Sequence, residues 1–425
     1  MDILSRRFKQ IEAVLNNYNN ISIKIFVFKL FEKTISYLLL PFSIVVVLII
    51  RLISPFMLVR FQRIPSERLG HFAGNTEVYL LEKECSIGAP KQYCIDFWCF
   101  NEPVSNRFFE KKVRGKLNCI PSLILSPIIL ANDLIPNGDA HKIGFNTSND
   151  RDVFNLFDEN EPKFDLNSAE IDAGNNWLRE IGLGAGDKFV CLHVRDAHYL
   201  STTLPWWSWN YHDYRNCSIE NYVEAAEALA DQGYYVFRMG VEVQKKLNSG
   251  HPRVIDYASN SMRTDFLDVF LGARCEFCIS NGSGFDAIPY IFRRPIVYID
   301  HVPFGIINTF SSKFMATTKK HWHVLEKRYL SLEEILQSDL AWHFKSIDFE
   351  RDKIELHESS HSDICAAVLE MEARLSGSWV SKKSDEKLQK TFWKNFPVNK
   401  MHGELKSRIG TKLLQDNEKL KAEWK

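Results

Sequence analysis

The chain has no surplus charge: 53 lysines and arginines balance 53 aspartates and glutamates over 425 residues. Holding a polyanion takes a basic field, so DNA and RNA are excluded as expected partners. A second Cys-x-x-Cys is missing, so Cys275 and Cys278 cannot complete a zinc site; inside their apolar run they read as buried strand thiols. Nine cysteines, an odd number at irregular spacing with no cleavable signal peptide ahead of them, point to reduced thiols and a cytosolic setting. Neither the G-x-x-x-x-G-K of a Walker loop nor the G-x-G-x-x-G of a dinucleotide fingerprint occurs around the glycines of 282–284.

What is present is ample core material, with 45% hydrophobic and 25% charged residues, at a length that suits two domains. One stretch is far more apolar than that average. Residues 35–59, ISYLLLPFSIVVVLIIRLISPFMLV, carry Arg51 as their one charge, with Pro41 and Pro55. The run is long enough to cross a bilayer core of about 30 Å. Against a plain span stand the prolines, which break helical hydrogen bonding, and the guanidinium, which costs about 2.5 kcal/mol or more at mid-membrane. Arg6, Arg7, Lys9, Lys24, Lys29 and Lys33 precede the run and Arg60, Arg63 and Arg68 follow it, pulling both ends to the cytoplasm. A membrane anchor that does not cross satisfies these observations; a single span and a buried core helix are the alternatives.

Beyond Arg60 the pattern is that of two α/β halves. In the first, strands are predicted over 76–82 (TEVYLLE) and 93–98, while SLILSPIILAND fits strand and helix equally. The polar stretch 146–163 reads as the inter-domain crossing. Asn167 and Glu170 stand at capping-box spacing before an amphipathic helix that Gly182 ends. In the second half KFVCLHV, YYVFRMG, CEFCIS and PIVYID read as buried strands, separated by the helical patterns SIENYVEAAEALADQG, TDFLDVFLGAR and FDAIPYIFRR. Such alternation makes right-handed βαβ units around a parallel sheet, and ligands on these sheets sit at the carboxyl ends of the strands.

Polar groups at the strand ends are therefore the candidate site. CEFCIS is followed by Asn281, Gly282, Ser283 and Gly284, with a helix expected from Phe285. The first amides of a helix carry about half a positive charge, and glycines let an anion approach them, which suits a phosphate; the same turn also links strand to helix with no ligand. FVCLHV ends on His193, followed closely by Arg195 and Asp196, and alternation sets His193 and Arg195 on one side. Arg195 offers forked donors to a diphosphate, or else it pairs with Asp196 at the surface. Arg238, at the end of the next strand, faces the same edge. Asp265 either meets a ribose or base or is an ordinary charge at a helix start.

A base for a hydroxyl proton is sought in His71 of RLGHFAGN, read as a loop before a strand, in His198 at equal rank, and in Asp196, with Glu77 near His71. His71 also reads as an ordinary loop histidine. Asp150-Arg151-Asp152 has the form of a D-x-D metal motif, but no strand precedes it, so no metal is expected there. LPWWSWNYHDYRN gathers aromatics that either stack on a sugar or pack structurally. The segment after Ser381 holds 12 basic and 6 acidic residues and reads as a solvated helix face or as a contact with anionic lipid.

QRIPSERLGHFAGNTEVYLLEKE, FVCLHVRDAHYL, YHDYRNCSIENYVEAAEALADQGYYVFRMG and MRTDFLDVFLGARCEFCISNGSGFDAIPYIFRRP occur in this chain in the order shown by a family of bacterial glycosyltransferases found with surface-polysaccharide genes. The chain resembles that family over residues 60–425, and HGELKSRIGTKLLQDN fits it too. The resemblance implies an α/β fold of GT-B type, with two Rossmann-like domains facing a cleft behind the N-terminal hydrophobic membrane-anchor segment. On this division 1–59 is the anchor region, 60–165 the acceptor domain, 166–340 the nucleotide-sugar domain, and 341–425 a set of C-terminal helices crossing back. It also implies no obligatory metal and no cofactor beyond the nucleotide-sugar donor. A more distant likeness is to fucosyltransferases with an H-x-R-R-x-D motif; His193 and Arg195 match it, while Asp196 replaces the second arginine and speaks against GDP-fucose.

The reading is thus a metal-independent, inverting glycosyltransferase at the cytoplasmic face of the inner membrane, peripheral or monotopic through residues 35–59. Its partners are a nucleotide sugar and a saccharide or lipid-linked acceptor. His193, Arg195, Arg238, Asp265, Asn281, Gly282, Ser283 and Gly284 are expected to bind the donor, and His71, His198 or Asp196 to act as base. A non-catalytic scaffold of the same fold, or a transferase of another activated group, stays open.

Overall fold

The computed structural model describes residues 20–144, 150–203 and 208–423 and divides the chain into two compact units, Met1–Asp150 with Thr203–Trp207, and Arg151–Thr202 with Ser208–Lys425. Arg6, Arg7 and Lys9, the start of the expected inter-domain crossing, and Trp206 and Trp207 of the aromatic cluster lie outside the described residues.

In unit 1 the parallel strands β1 (Leu58–Ile64) and β2 (Cys94–Phe100) pair in register from Leu58 with Cys94 to Ile64 with Phe100. Single parallel bridges, Phe61 to Lys142 and Trp98 to Cys119, widen this small sheet on both sides. Arg60 of β1 forks onto the buried Asp96 of β2 at 2.7 and 2.9 Å, and Tyr79 donates to the same carboxylate at 2.5 Å.

Tyr79 belongs to helix Leu69–Glu84, which corrects the strand expected over 76–82 and places His71 on a helix instead of in a loop. Phe72 to Tyr79 are buried without interruption, so this helix has apolar and small residues all round it. No 3.6-residue stripe marks it, and its Thr and Val pass for strand residues. SLILSPIILAND is also helical, as Ser122–Leu134, with Pro127 inside.

The apolar N-terminal run folds as two helices, Asn20–Leu38 and Leu40–Ile53, with Pro41 in the first turn of the second and Pro55 just beyond its end. Both pack on helix Ser122–Leu134. Arg51 is answered by protein: its guanidinium donates to Asn132 Oδ1 at 3.0 Å and to the Ile135 carbonyl at 3.0 Å. No single helix among the described residues is long and apolar enough to cross a membrane; Lys24–Leu38 and Leu40–Ile53 reach that length only as a pair bent by 66°.

Unit 2 is built on a seven-stranded sheet, every neighbouring pair of which is parallel. Its strands are β3 (Phe189–His193), β4 (Tyr235–Arg238), β5 (Val254–Ile255), β6 (Cys278–Ser280), β7 (Ile296–Tyr298) and β8 (Phe314–Ala316), with a last strand from the far end of the chain. A small antiparallel sheet is formed by β9 (Lys320–His323), β10 (Arg328–Tyr329) and β11 (Ile354–His357). The last strand, β12 (Arg408–Ile409), joins the large sheet beside β8, giving the order β12-β8-β7-β6-β3-β4-β5. Counted from β3, six of these strands run 3-2-1-4-5-6, the doubly wound nucleotide-binding order.

Residues 341–425, expected to cross back, fall in unit 2. There Ile364, Val368 and Met371 of helix His361–Ser376 share a core with Val190, Leu192, Val236, Ile279 and Val297 of the sheet. Each such side chain stabilises the fold by roughly 1.5–3 kcal/mol on burial. The capping box of Asn167 and Glu170 is present at helix Ser168–Glu180, and Cys275 and Cys278 are buried, unpaired thiols beside Cys191.

Candidate functional site

β3 and β6 lie side by side, yet the chain leaves their carboxyl ends in opposite directions along the sheet. This is the switch point where a crevice opens in such folds. Register pairs His193 with Ser280, so the two strands end level and deliver residues 194–196 and 281–283 to the same place. Asn281 locks this junction. Its Oδ1 accepts from the Arg195 amide at 3.0 Å and its Nδ2 donates to the Arg215 carbonyl at 2.9 Å.

Arg195 is 8% exposed, and its guanidinium donates to Asn216 Oδ1 and, at 3.3 Å, to the His212 carbonyl. Among the described residues it makes no ion pair. The surface pair with Asp196 does not form, because the two Asp196 oxygens accept from the amides of His198 and Gln244, each at 2.9 Å. Burial, then the neighbouring Arg215, lowers Arg195 to about 10, still charged at neutral pH. Arg215, absent from the sequence reading, donates to the Gly282 carbonyl and likewise has no ion pair among the described residues. Lys319, 4% exposed, brings a third cation, its Nζ donating to the Asn216 carbonyl at 2.6 Å. Three buried or half-buried cations without a carboxylate in contact make a place for an anion.

Two imidazoles border it. Burial, then Arg238 and Arg195, drives His193 down to about 3, and burial, then Arg215 and Arg151, does the same to His301. Both are neutral at working pH, and the Nδ1 of each lacks a hydrogen-bond partner among the described residues. Gly282, at φ +77°, lies against His301, whose Cδ2 would stand 2.7 Å from any Cβ there.

Other expected donor contacts are engaged elsewhere. Arg238 is 1% exposed and paired with Asp256 at 3.2 Å, so it braces β4 against the chain returning along β5 and has no surface to offer a ligand. Asp265 opens helix Asp265–Arg274 and meets Arg263 at 3.0 Å, as a helix-start charge does. Ser283 and Gly284 begin a 3-10 turn, followed by an α-helix of only five residues. The Ser283 amide donates to Asp286 Oδ2 at 2.9 Å, so part of the expected helix-start charge is already used internally. Anion binding here rests on side-chain cations more than on that helix.

In unit 1 His71 Nδ1 lies 3.1 Å from Asp150 Oδ2, with both side chains more than a third exposed. Glu77, on the same helix, is buried. His198 is exposed at the start of the short helix His198–Thr203. With both oxygens held by amides, Asp196 shapes its turn and is a poor base. The D-x-D is dismantled: Asp150 serves His71, whereas Asp152 is buried and accepts from the amides of Leu156 and Phe157 at 2.7 Å each. Of the aromatic cluster, Tyr214 packs into the core against Phe349, with ring centroids 5.5 Å apart, which is structural packing.

The site is thus an anion-receptive switch point on a doubly wound α/β sheet. No family model matches the chain, and no curated protein matches it. Among solved structures it is similar to the ADP-heptose lipopolysaccharide heptosyltransferase II of E. coli, at 12% identity over 61% of this chain and 90% of that one, with a TM-score of 0.38. It is similar also to a family 9 glycosyl transferase from Veillonella parvula, at 11% identity over 57% of this chain and 80% of that one, TM-score 0.35. A third is S. aureus MnaA with UDP, at 10% identity over 77% and 98% of the respective chains, TM-score 0.27.

Proposed function

We propose that the protein is a glycosyltransferase of GT-B type that takes a sugar from a nucleotide-sugar donor. The observation that carries this reading is the pair Arg195 and Arg215 at the switch point between β3 and β6, both charged and neither in an ion pair among the described residues. Breaking the bond between sugar and diphosphate leaves an electron pair, and hence negative charge, on a phosphate oxygen. Fixed cations stabilise that charge without the reorganisation water would need. On this reading the acceptor hydroxyl oxygen bonds to the anomeric carbon with inversion, and its proton passes to a base, for which His71 and His198 are the candidates. Asp150 holds the His71 ring.

The acceptor is a saccharide, lipid-linked where the N-terminal helices rest on the inner membrane's cytoplasmic face. Phe42, Val45, Leu48, Ile49, Leu52 and Phe56 are exposed together on those helices and the turn after them, an apolar face larger than solvent exposure favours.

Titrating the full chain with a panel of nucleoside diphosphates by calorimetry, and assaying release of free diphosphate from nucleotide sugars, tests the reading. Binding of one base in preference to the others, with acceptor-dependent release, is expected. If no nucleotide binds, the enzyme reading fails and a scaffold is left; binding with release of a product other than free sugar-acceptor conjugate and diphosphate transfers the protein to another class of group transfer.

A further inference from the structure

Behind the cation ledge, and not used by the reaction above, lies a second cluster. Cys217 Sγ, a carboxylate oxygen of Asp300 and one of Glu358 all stand within 4.8 Å of one another. Cys217 and Asp300 are buried and Glu358 is half-buried.

The three groups come from separate parts of unit 2 and are held in place by bonds that leave ligand positions free. Asp300 follows β7, and Ser359 fixes it with its hydroxyl at 2.6 Å on Oδ1 and its amide at 3.0 Å on Oδ2. Glu358 is fixed through Oε2, which accepts from the Ser218 amide at 2.9 Å and Asn221 Nδ2 at 2.7 Å. Its Oε1 has no protein donor among the described residues. The Cys217 amide donates to the Arg195 carbonyl at 3.0 Å, and its thiol makes a weak bond to the Arg215 carbonyl at 3.9 Å that a bound ion would replace.

A second, independent observation points into the cluster. Tyr222 is wholly buried, and its hydroxyl is turned onto the Cys217 side chain, with no nitrogen or oxygen partner among the described residues, although a buried phenol ordinarily finds one. The charged groups acting on that hydroxyl are Cys217, Asp300 and Glu358. Charge counting agrees. The neighbouring buried cation, Lys319, makes no ion pair with either carboxylate among the described residues, and one ammonium cannot balance two carboxylates. Burial keeps the Cys217 thiol protonated in the empty site, so binding a dication releases that proton to solvent, after which two carboxylates, a thiolate, one ammonium and the dication sum to zero.

We propose that Cys217, Asp300 and Glu358, with the Tyr222 hydroxyl as fourth donor, form a structural divalent-cation site. The thiolate and the small tetrahedral ligand number favour Zn²⁺ over Mg²⁺ or Ca²⁺, which want six or more oxygens. Such an ion ties the loop that carries Arg215 and Asn216 to the ends of β7 and β11, and so fixes the cations from behind. It takes no part in bond breaking. The site deepens the reading above only by positioning its arginines and stands without it, since its test needs neither nucleotide nor turnover.

The test is metal analysis of the full chain after dialysis with Zn²⁺, followed by Co²⁺ titration of chelator-treated protein. One Zn²⁺ per chain is expected, and Co²⁺ is expected to give a near-ultraviolet thiolate charge-transfer band. Cys217→Ser should abolish the band, and Glu358→Gln, a half-exposed change that keeps the fold by circular dichroism, should weaken Co²⁺ binding tenfold or more. Absence of the band in the wild type overturns the proposal. So does a band that survives in Cys217→Ser, since other thiols would then be its source, and so does unchanged affinity in Glu358→Gln.

Discussion

His71 Nδ1 and Asp150 Oδ2 stand 3.1 Å apart at the boundary residue of unit 1. The contact fixes the ring tautomer and leaves Nε2 as the proton acceptor, the geometry a general base needs. Replacing His71 by Gln should lower turnover about 10²- to 10⁴-fold, the range for losing general-base catalysis, with donor affinity unchanged. Asp150→Asn should cost less, because the ring is kept. Steady-state release of free nucleotide measures both; an equal loss in His198→Gln and none in His71→Gln would reverse the assignment.

Arg215→Ala removes a charged donor from the proposed diphosphate site. A hydrogen bond to a charged group contributes about 1.5–3 kcal/mol, so nucleoside-diphosphate affinity should fall roughly tenfold to a hundredfold by calorimetry. Arg238→Met should behave differently. It leaves Asp256 without its partner and lowers the thermal midpoint, with affinity intact in the folded fraction.

Gly282→Ala would put a Cβ 2.7 Å from His301 Cδ2 in a backbone held at φ +77°. Left-handed backbone strain alone costs about 1–3 kcal/mol. The denaturant midpoint should drop accordingly, and nucleotide binding should weaken with it, since His301 and the Gly282 carbonyl that receives Arg215 both move. An unchanged midpoint would show that the loop relaxes freely.

Stability should also carry a signature of pH. Burial lowers His321 to about 4 from an unfolded value near 6.5, so between those values the unfolded chain binds the extra proton. Its contribution is complete above about pH 6.5 and is lost as pH falls towards 4. Asp268, raised to about 6 chiefly by burial, works in the opposite sense and is the same in both proteins. The loss of stability between about pH 7 and 4.5 should therefore be smaller in His321→Gln than in the wild type, read from urea midpoints. Identical slopes would mean that the imidazole titrates normally.

Leu48→Ser with Leu52→Ser should cut co-sedimentation with anionic lipid vesicles severalfold while leaving nucleotide binding alone. Both side chains are exposed on helix Leu40–Ile53. Equal sedimentation of variant and wild type would remove the membrane from the account.

Strands β3, β4, β6 and β7 were legible because each is a short apolar run bounded by a turn, and their alternation with helices fixed the parallel sheet. β5, β10 and β12 escaped notice because two residues make no pattern, and β8, β9 and β11 because runs of three or four residues make little more. Helix Leu69–Glu84 was misread because burial on all sides erased its stripe. At the site, strand-end position found Arg195 and Asn281, but it could not separate them from Arg238, whose burial depends on Asp256 returning from a later strand. Arg215 ends the 3-10 turn Asn210–Arg215 among aromatics, where only three-dimensional closure through Asn281 reveals it.

β12 gives the chain's far end a task of its own. Arg408 and Ile409 are the outer neighbours of Met315 and Ala316, and Gly410 N closes on the Ala316 carbonyl at 2.9 Å. A protein truncated before Arg408 would bare the rim of β8, with its amides and carbonyls turned outward as a template for foreign strands. Shortened versions should then clump on expression, even though every residue of the cation ledge is still encoded.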